Sequence, residues 1–376
     1  MLSSYYYKGP AKEPWEFQQT DLGPINLLVG TSGSGKTRYL NTIFNFSGFA
    51  VKGDPFREGR WKLTVTTDQF EYIWDCTAEE ASKGKYQICQ EKVTRRAANS
   101  QDEFEILIER TVKTFNFKGE KLPRLQLDKL GVTLLKEEDA IRPLYETFAK
   151  MQRRNFHDEG LRDALALQPV PSELIEDTRL ADGISRLWRQ ENALSAKMFL
   201  LKESFPDLYR IAVHTFEEVF PSIIDCEIQL LKAPSINIRE GGFIPVFCVK
   251  EKGVTRSIAL HELSSGMQKV LLIVTDILTL PKGSIYLIDE YENSLGVNAI
   301  DFLPQFLLDH GEDHQFIITT HHPYLINTMP MKSWRVFRRE GSIVSIRSGE
   351  EFEQKYGKSK QQAFVQLLND PFYAAS

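Results

Sequence analysis

The sequence predicts an α/β fold in three parts: a phosphate-loop core on a parallel sheet, an antiparallel β lobe and an inserted helical lobe. Three observations carry this. LVGTSGSGKTRYL, residues 28 to 40, holds the pattern G-x-x-x-x-G-K-[ST] between the apolar run Ile25 to Val29 and the helix-forming stretch Thr37 to Phe46. That strand–loop–helix setting is the one such a loop needs to bind phosphate. Residues 61 to 118 break into β-branched and aromatic pieces, KLTVTT, FEYIWDC, KYQICQEKV and FEILIERTVKTFNF, which read as an antiparallel meander. After residue 260 the pattern alternates helix, strand, helix, strand, the rhythm of an α/β core.

Taken in order, Met1 to Tyr7 and Trp15 to Thr20 are expected strands leading into the strand that ends at Gly30. Glu137 to Met151 has helical periodicity, with Ile141, Leu144, Tyr145 and Phe148 on one face. Residues 157 to 171 are polar and close on Pro169 and Pro171, so they read as a linker. Helices are expected near 172–195 and 197–219, the second interrupted near Pro206. Short strands follow at 224–231, 235–239 and 243–250, with Gly241-Gly242 turning a hairpin, and RVFRREGSIVSIRSG near the end reads as another hairpin. The chain is expected to be one domain, 1–376. Its parts are a phosphate-loop region at 1–50, the β lobe at 51–133, the helical lobe at 134–222 and a final lobe at 223–376.

With 42% hydrophobic and 26% charged residues over 376 positions, the composition is that of a globular protein with a sizeable core. A formal charge of −5 gives no global field toward nucleic acid. The basic clusters Arg95-Arg96, Arg153-Arg154 and Arg335 with Arg338-Arg339 read as solvated surface, with a DNA-facing patch kept open for one of them. Cys76, Cys89, Cys226 and Cys248 show no C-x-x-C spacing, which argues against a zinc site or disulfide framework and fits a reducing cytosol. The N-terminus has no secretory pattern, and Val270 to Leu280 is too short to span a bilayer and carries Asp276. A cytoplasmic protein with no membrane partner is expected.

The chemistry gathers at three places. Gly30, Ser32, Gly33, Ser34 and Gly35 supply a sharp turn whose N–H groups converge on a phosphate at a helix N-terminus. Lys36 would reach the β- and γ-phosphates and the Thr37 hydroxyl would hold Mg²⁺. SIYLIDE, residues 284 to 290, is an apolar strand ending in Asp289 and Glu290, where a parallel strand faces its ligand crevice. Asp289 would complete the Mg²⁺ shell and Glu290 would polarise the attacking water as general base. Ser264, Ser265 and Gly266 open an apolar helical run, which makes them either an ordinary helix cap or a second anion site.

On these residues the sequence resembles the ABC-type ATPase superfamily. Leu263 to Met267 stand where the family signature stands, Tyr286 to Glu290 match its Walker-B strand, Asn293-Ser294-Leu295 match its D-loop, and QFIITTHHP at 315 to 323 matches the strand with the switch histidine. The resemblance implies ATP and Mg²⁺ as ligands. It also implies a γ-phosphate contact from Ser264 and Gly266 across a head-to-tail pair, a γ-phosphate role for His321 and a metal-sensing role for Gln152. One signature and one phosphate loop per chain then imply a homodimer or higher homo-oligomer with composite sites. Departures from the family pattern are Met267 and Ser265 in the signature, Thr31-Ser32 in the phosphate loop and Gly296 after the D-loop.

Lys36 and Ser264 lie 228 residues apart, longer than the helical lobe of transporter ATPases, and no sustained heptad fills the interval. LSSGMQKVLL, LIDEYENSLG and TTHHPYLIN look like the OLD-like (AAA_15) group, including the stand-alone AriA and PtuA ATPases of phage-defence operons. Only 53 residues follow Pro323, too few for a nuclease domain, so an effector nuclease or toxin is expected on a separate chain. The alternative is a RecF-like repair ATPase that clamps duplex DNA directly.

Overall fold

The computed structural model describes residues 1–123, 125–155, 164–179, 183–189, 193–232, 243–292, 295–357 and 360–374. The expected strand at 235–239, the Gly241-Gly242 turn, Asn293-Ser294 and much of the 157–171 linker lie outside these. The chain forms two compact units. The first comprises Met1–Arg154, Gly283–Tyr291 and Gly311–Ser376; the second comprises Asn155–Lys282 and Glu292–His310.

In the first unit Ile25–Val29, Ile285–Asp289 and Gln315–Thr319 are buried at every position, as strands covered on both faces must be. Gln315–Thr319 pairs in parallel with both of the others, and Trp334–Glu340 joins the far side of Ile25–Val29, also in parallel. Met151–Asn155 lies beyond Ile285–Asp289 at the edge of the sheet. On the other side Trp334–Glu340 turns back antiparallel into Ile343–Ser348, the hairpin expected from the sequence. The same sheet then continues through Glu16–Asp21, Leu2–Lys8 and Gly59–Thr66 into the antiparallel meander, fourteen strands among the described residues. The β lobe is thus an extension of the core sheet.

The helix Lys36–Val51 packs Tyr39, Leu40, Ile43, Phe46 and Ala50 inward at i, i+3, i+4 spacing. Phe46 meets Trp61, Trp74 and Phe148 at ring distances of 5.6, 4.9 and 5.8 Å, locking the helix onto the meander. In the lobe the buried Glu91 carboxylate accepts from the Gly131 and Val132 amides at 2.6 and 3.4 Å and from Trp74 Nε1 at 3.2 Å, with Arg110 at 3.7 Å. Desolvation pushes the Glu91 carboxyl above its usual range, although these donors and Arg110 pull it down.

The helix expected over Glu137 to Met151 is shorter, Arg142–Ala149, because Pro143 in the first turn removes a donor and disfavours helix before it. Met151 instead opens the edge strand. In the second unit the expected break near Pro206 is present, separating Leu194–Ser204 from Pro206–Val219. The helix expected over 172–195 divides into Ser172–Thr178 and Gly183–Arg189, the first ending where the Thr178 hydroxyl bonds the carbonyls of Leu174 and Ile175. Ile223–Lys232, Phe243–Glu251 and Ile258–Ala259 make a small antiparallel sheet. Lys197 and Asp276, both buried, pair at 3.0 Å and tie Leu194–Ser204 to the helix Ser265–Thr279. Among the described residues no helix is long and apolar enough to cross a membrane.

Candidate nucleotide-binding site

The phosphate loop is shaped by its glycines and its lysine. Gly33 and Gly35 take positive φ of 82° and 99°, a region costly for other residues. Gly30 has no room for a side chain: an added Cβ would sit 2.7 Å from Ser34 Oγ and 3.1 Å from Phe337. Lys36 is 4% exposed, and its Nζ donates to Gly30 O at 2.7 Å, Thr31 O at 3.0 Å and Ser34 Oγ at 3.3 Å. The loop is therefore wrapped around the ammonium it would present to a phosphate. Thr31, Ser32, Gly33 and Ser34 line a cleft of about 290 Å³ whose other wall is Arg339 and Gly341, at the tip of the Trp334–Ser348 hairpin. Arg339 donates to Gly33 O at 3.2 Å and lies over the Trp15 ring at 4.3 Å, where Arg38 also stacks at 4.5 Å.

The acidic strand end meets this loop. Asp289, 1% exposed, accepts on Oδ1 from Thr37 Oγ1 at 3.0 Å and from Thr319 Oγ1 at 2.8 Å, and on Oδ2 from Arg153 at 3.2 Å. Thr319 Oγ1 in turn accepts from the Glu290 amide at 2.7 Å. Glu290 has φ of 49°, a left-handed conformation rare for a long side chain, held by that bond at the end of a core strand. A hydroxyl and a carboxylate side by side suit a hard cation such as Mg²⁺, which takes few protein oxygens when phosphates supply others. The loop's backbone and Lys36 suit the phosphates. The residues present therefore fit ATP with Mg²⁺.

Lys36, Thr37, Asp289 and Glu290 thus come together as the sequence predicts. His321 lies two residues beyond the end of Gln315–Thr319 and is exposed. Gln152 lies on the edge strand beside Ile285–Asp289. In the second unit Ser264 caps Ser265–Thr279, its hydroxyl accepting from the Met267 amide at 3.3 Å, with Ser265 and Gly266 in the first turn. Gln268 is buried and turns back to Leu260 O at 2.9 Å, fixing the approach to that helix.

Two residues escaped the sequence reading. Thr319 links Asp289 to Glu290, and only its place at the end of an apolar strand hinted at it. The reading of Arg153 as solvated surface is corrected: its guanidinium is on Asp289. Arg335 is likewise 6% exposed and spends its donors on the carbonyls of Asp21, Lys332 and Trp334, while Arg339 borders the phosphate loop.

A family described as "AAA domain, putative AbiEii toxin, Type IV TA system" matches residues 159–327, a span that takes in Ser264, Asp289, Glu290 and His321. No curated protein matches the chain. Among solved structures the chain resembles an SMC head bound to the C-terminal winged-helix domain of ScpA, at 12% identity over 92% of this chain and 97% of that one, with a TM-score of 0.51. It also resembles an SMC head with an extended coiled coil, bound to the C-terminal domain of ScpA from Pyrococcus furiosus, at 11% identity over 94% and 98%, with a TM-score of 0.51. At such identities the likeness is one of fold. The chain has the mixed α/β fold of these SMC heads.

Proposed function

We propose that this protein binds and hydrolyses ATP with Mg²⁺ and works as a molecular switch in head-to-tail pairs. The observation that carries the reading is the Lys36–Thr37–Asp289–Thr319–Glu290 cluster, four predicted residues and one unpredicted, brought together from one helix start and two strand ends. The loop amides and Lys36 would hold the β- and γ-phosphates, and Thr37 with Asp289 would hold the metal. Bound Mg²⁺ would offset phosphate charge. Glu290 would take the proton of the attacking water while Thr319 keeps its backbone in place. Ser264 and Gly266 would complete the γ-phosphate site of a second copy, and His321 would contact the same phosphate.

We further propose a cytoplasmic role in bacterial anti-phage defence, with a separate nuclease or toxin as effector. Two findings support this: the motif resemblance to OLD-like ATPases, and a matching family whose description is that of a toxin–antitoxin component. That the similar SMC heads were solved with a partner protein bound is consistent with an effector that docks.

Calorimetric titration with Mg²⁺ and ATP tests the core of the proposal. Wild type should bind and Lys36→Ala should not, since the phosphates lose their charge partner. Glu290→Gln should bind normally and hydrolyse about 10²–10⁴-fold more slowly, the usual loss for a general base. Retained affinity in Lys36→Ala would refute the nucleotide site; wild-type turnover in Glu290→Gln would move the base elsewhere.

A further inference from the structure

We propose that Arg153 is a resident counter-ion of the metal site: it neutralises Asp289 in the absence of a divalent cation and gives way when Mg²⁺ arrives with nucleotide. The inference rests on reading this site as one for Mg²⁺ and ATP, and it adds a residue that neither the motifs nor that reading assigns.

The argument starts from burial. Asp289 is 1% exposed, and a carboxylate so placed needs a compensating charge as well as hydrogen bonds. Two of its three donors, Thr37 and Thr319, are neutral hydroxyls on Oδ1. The positive charge comes from Arg153 alone among these three, on Oδ2 at 3.2 Å, with the arginine side chain 17% exposed.

The three partners differ in what a metal would do to them. A threonine hydroxyl donates its one proton and keeps lone pairs, so Thr37 can hold Asp289 and ligate a cation together. Guanidinium has donors only and is always charged, so Arg153 can neither ligate Mg²⁺ nor lose its proton to accommodate it. Two cations then compete for one carboxylate.

The contact is also built to release. Arg153 Nε is buried and makes no hydrogen bond among the described residues, so the fork pairs with Asp289 through NH2 rather than through both of its edges. A two-point Arg–carboxylate pair would be stronger and geometrically fixed. The residue sits on Met151–Asn155, the outermost strand of the parallel end of the sheet, where among the described residues one side has no strand to pin it.

The test uses the full chain and ATP itself, titrated by calorimetry at a series of free Mg²⁺ concentrations. In Arg153→Met the Mg²⁺ concentration giving half-maximal ATP binding should fall by about tenfold, the size of one charged hydrogen bond no longer opposing the metal. The ligand dependence of thermal melts supplies a second readout that a purely structural arginine would not move. Arg153→Met should melt below wild type without ligand, and the gap should close with saturating Mg²⁺ and ATP. If Arg153→Met does not fold, Arg153→Gln keeps a donor for Asp289 without the charge and should give the same shift. An unchanged Mg²⁺ requirement in a variant that binds ATP would overturn this inference and leave the ATPase reading standing, as would a melting gap of equal size with and without ligand. A wild-type chain that binds no ATP at any Mg²⁺ concentration would overturn both.

Discussion

Glu290 is the residue at which the site departs most from relaxed backbone. Its φ of 49° puts a long side chain where L-residues are costly by roughly 1–2 kcal/mol, and the Thr319 hydroxyl on its amide holds it there. In the mechanism we propose, this turn lets neighbours in sequence take separate roles, Asp289 at the metal and Glu290 at the water. Glu290→Gly should therefore be more stable to urea than Glu290→Ala by about 1 kcal/mol, while both hydrolyse ATP about 10²–10⁴-fold more slowly. Equal stability of the two would mean the backbone there is unstrained. At this level Lys36, Thr37, Asp289 and Glu290 were legible in the sequence because each has a fixed place in one of two short motifs, the phosphate loop and the acidic strand end. Thr319 and Arg153 were not, since their roles depend on which strand lies beside Ile285–Asp289, and strand order is not written in any local pattern.

The meander carries a different kind of constraint. Glu91, on Lys85–Ala97, receives the first amides of the short helix Gly131–Leu134, whose Thr133 hydroxyl in turn donates to Ala50 O of Lys36–Val51. Its carboxyl is held above the ordinary carboxylate range by burial, so the folded state binds the proton more tightly than the unfolded chain. The corresponding stabilisation is present below the unfolded pKa and is lost as pH rises through the raised one. Glu91→Gln, which cannot ionise, should thus be less stable than wild type by a margin that narrows from pH 4 toward pH 8. Melting curves across that range check it, and a margin that widens with pH would mean the Arg110 pair dominates. Strands and hairpins here were readable from alternation and turn residues. The edge strand Met151–Asn155 was not: MQRRN has no apolar alternation, and its strand form comes from pairing with Ile285–Asp289.

For the molecule as a whole, the phosphate loop belongs to one compact unit and Ser264 to the other. The pairing we propose makes each active site from the Lys36 of one chain and the Ser264 of another. Neither Lys36→Ala nor Ser264→Arg should hydrolyse ATP alone, yet an equimolar mixture should recover part of the activity. In a mixed pair one site keeps both residues and the other has lost both. Phosphate release by the mixture, with light scattering to follow nucleotide-dependent association, gives the answer. A Ser264→Arg protein that hydrolyses ATP as a monomer at the wild-type rate would end the composite-site reading. That the sequence divides between units at Gly283, Tyr291 and Gly311 could not be read from local patterns, because these crossings fall beside the core strands Ile285–Asp289 and Gln315–Thr319.

The central strand has a consequence for biosynthesis. Ile25–Val29 leaves the ribosome long before its hydrogen-bonding neighbours: Ile25 pairs with Phe316 and Leu27 with Trp334. Four apolar residues and Asn26 must wait, unpaired on both edges, until the neighbouring strands have been made. The meander from Gly59 to Lys121 pairs locally and can fold meanwhile, leaving the catalytic sheet as the late, slow step. A nascent chain of this design spends most of its synthesis with a sticky strand exposed, and its yield in the cell rests on what shields that strand until Trp334 arrives.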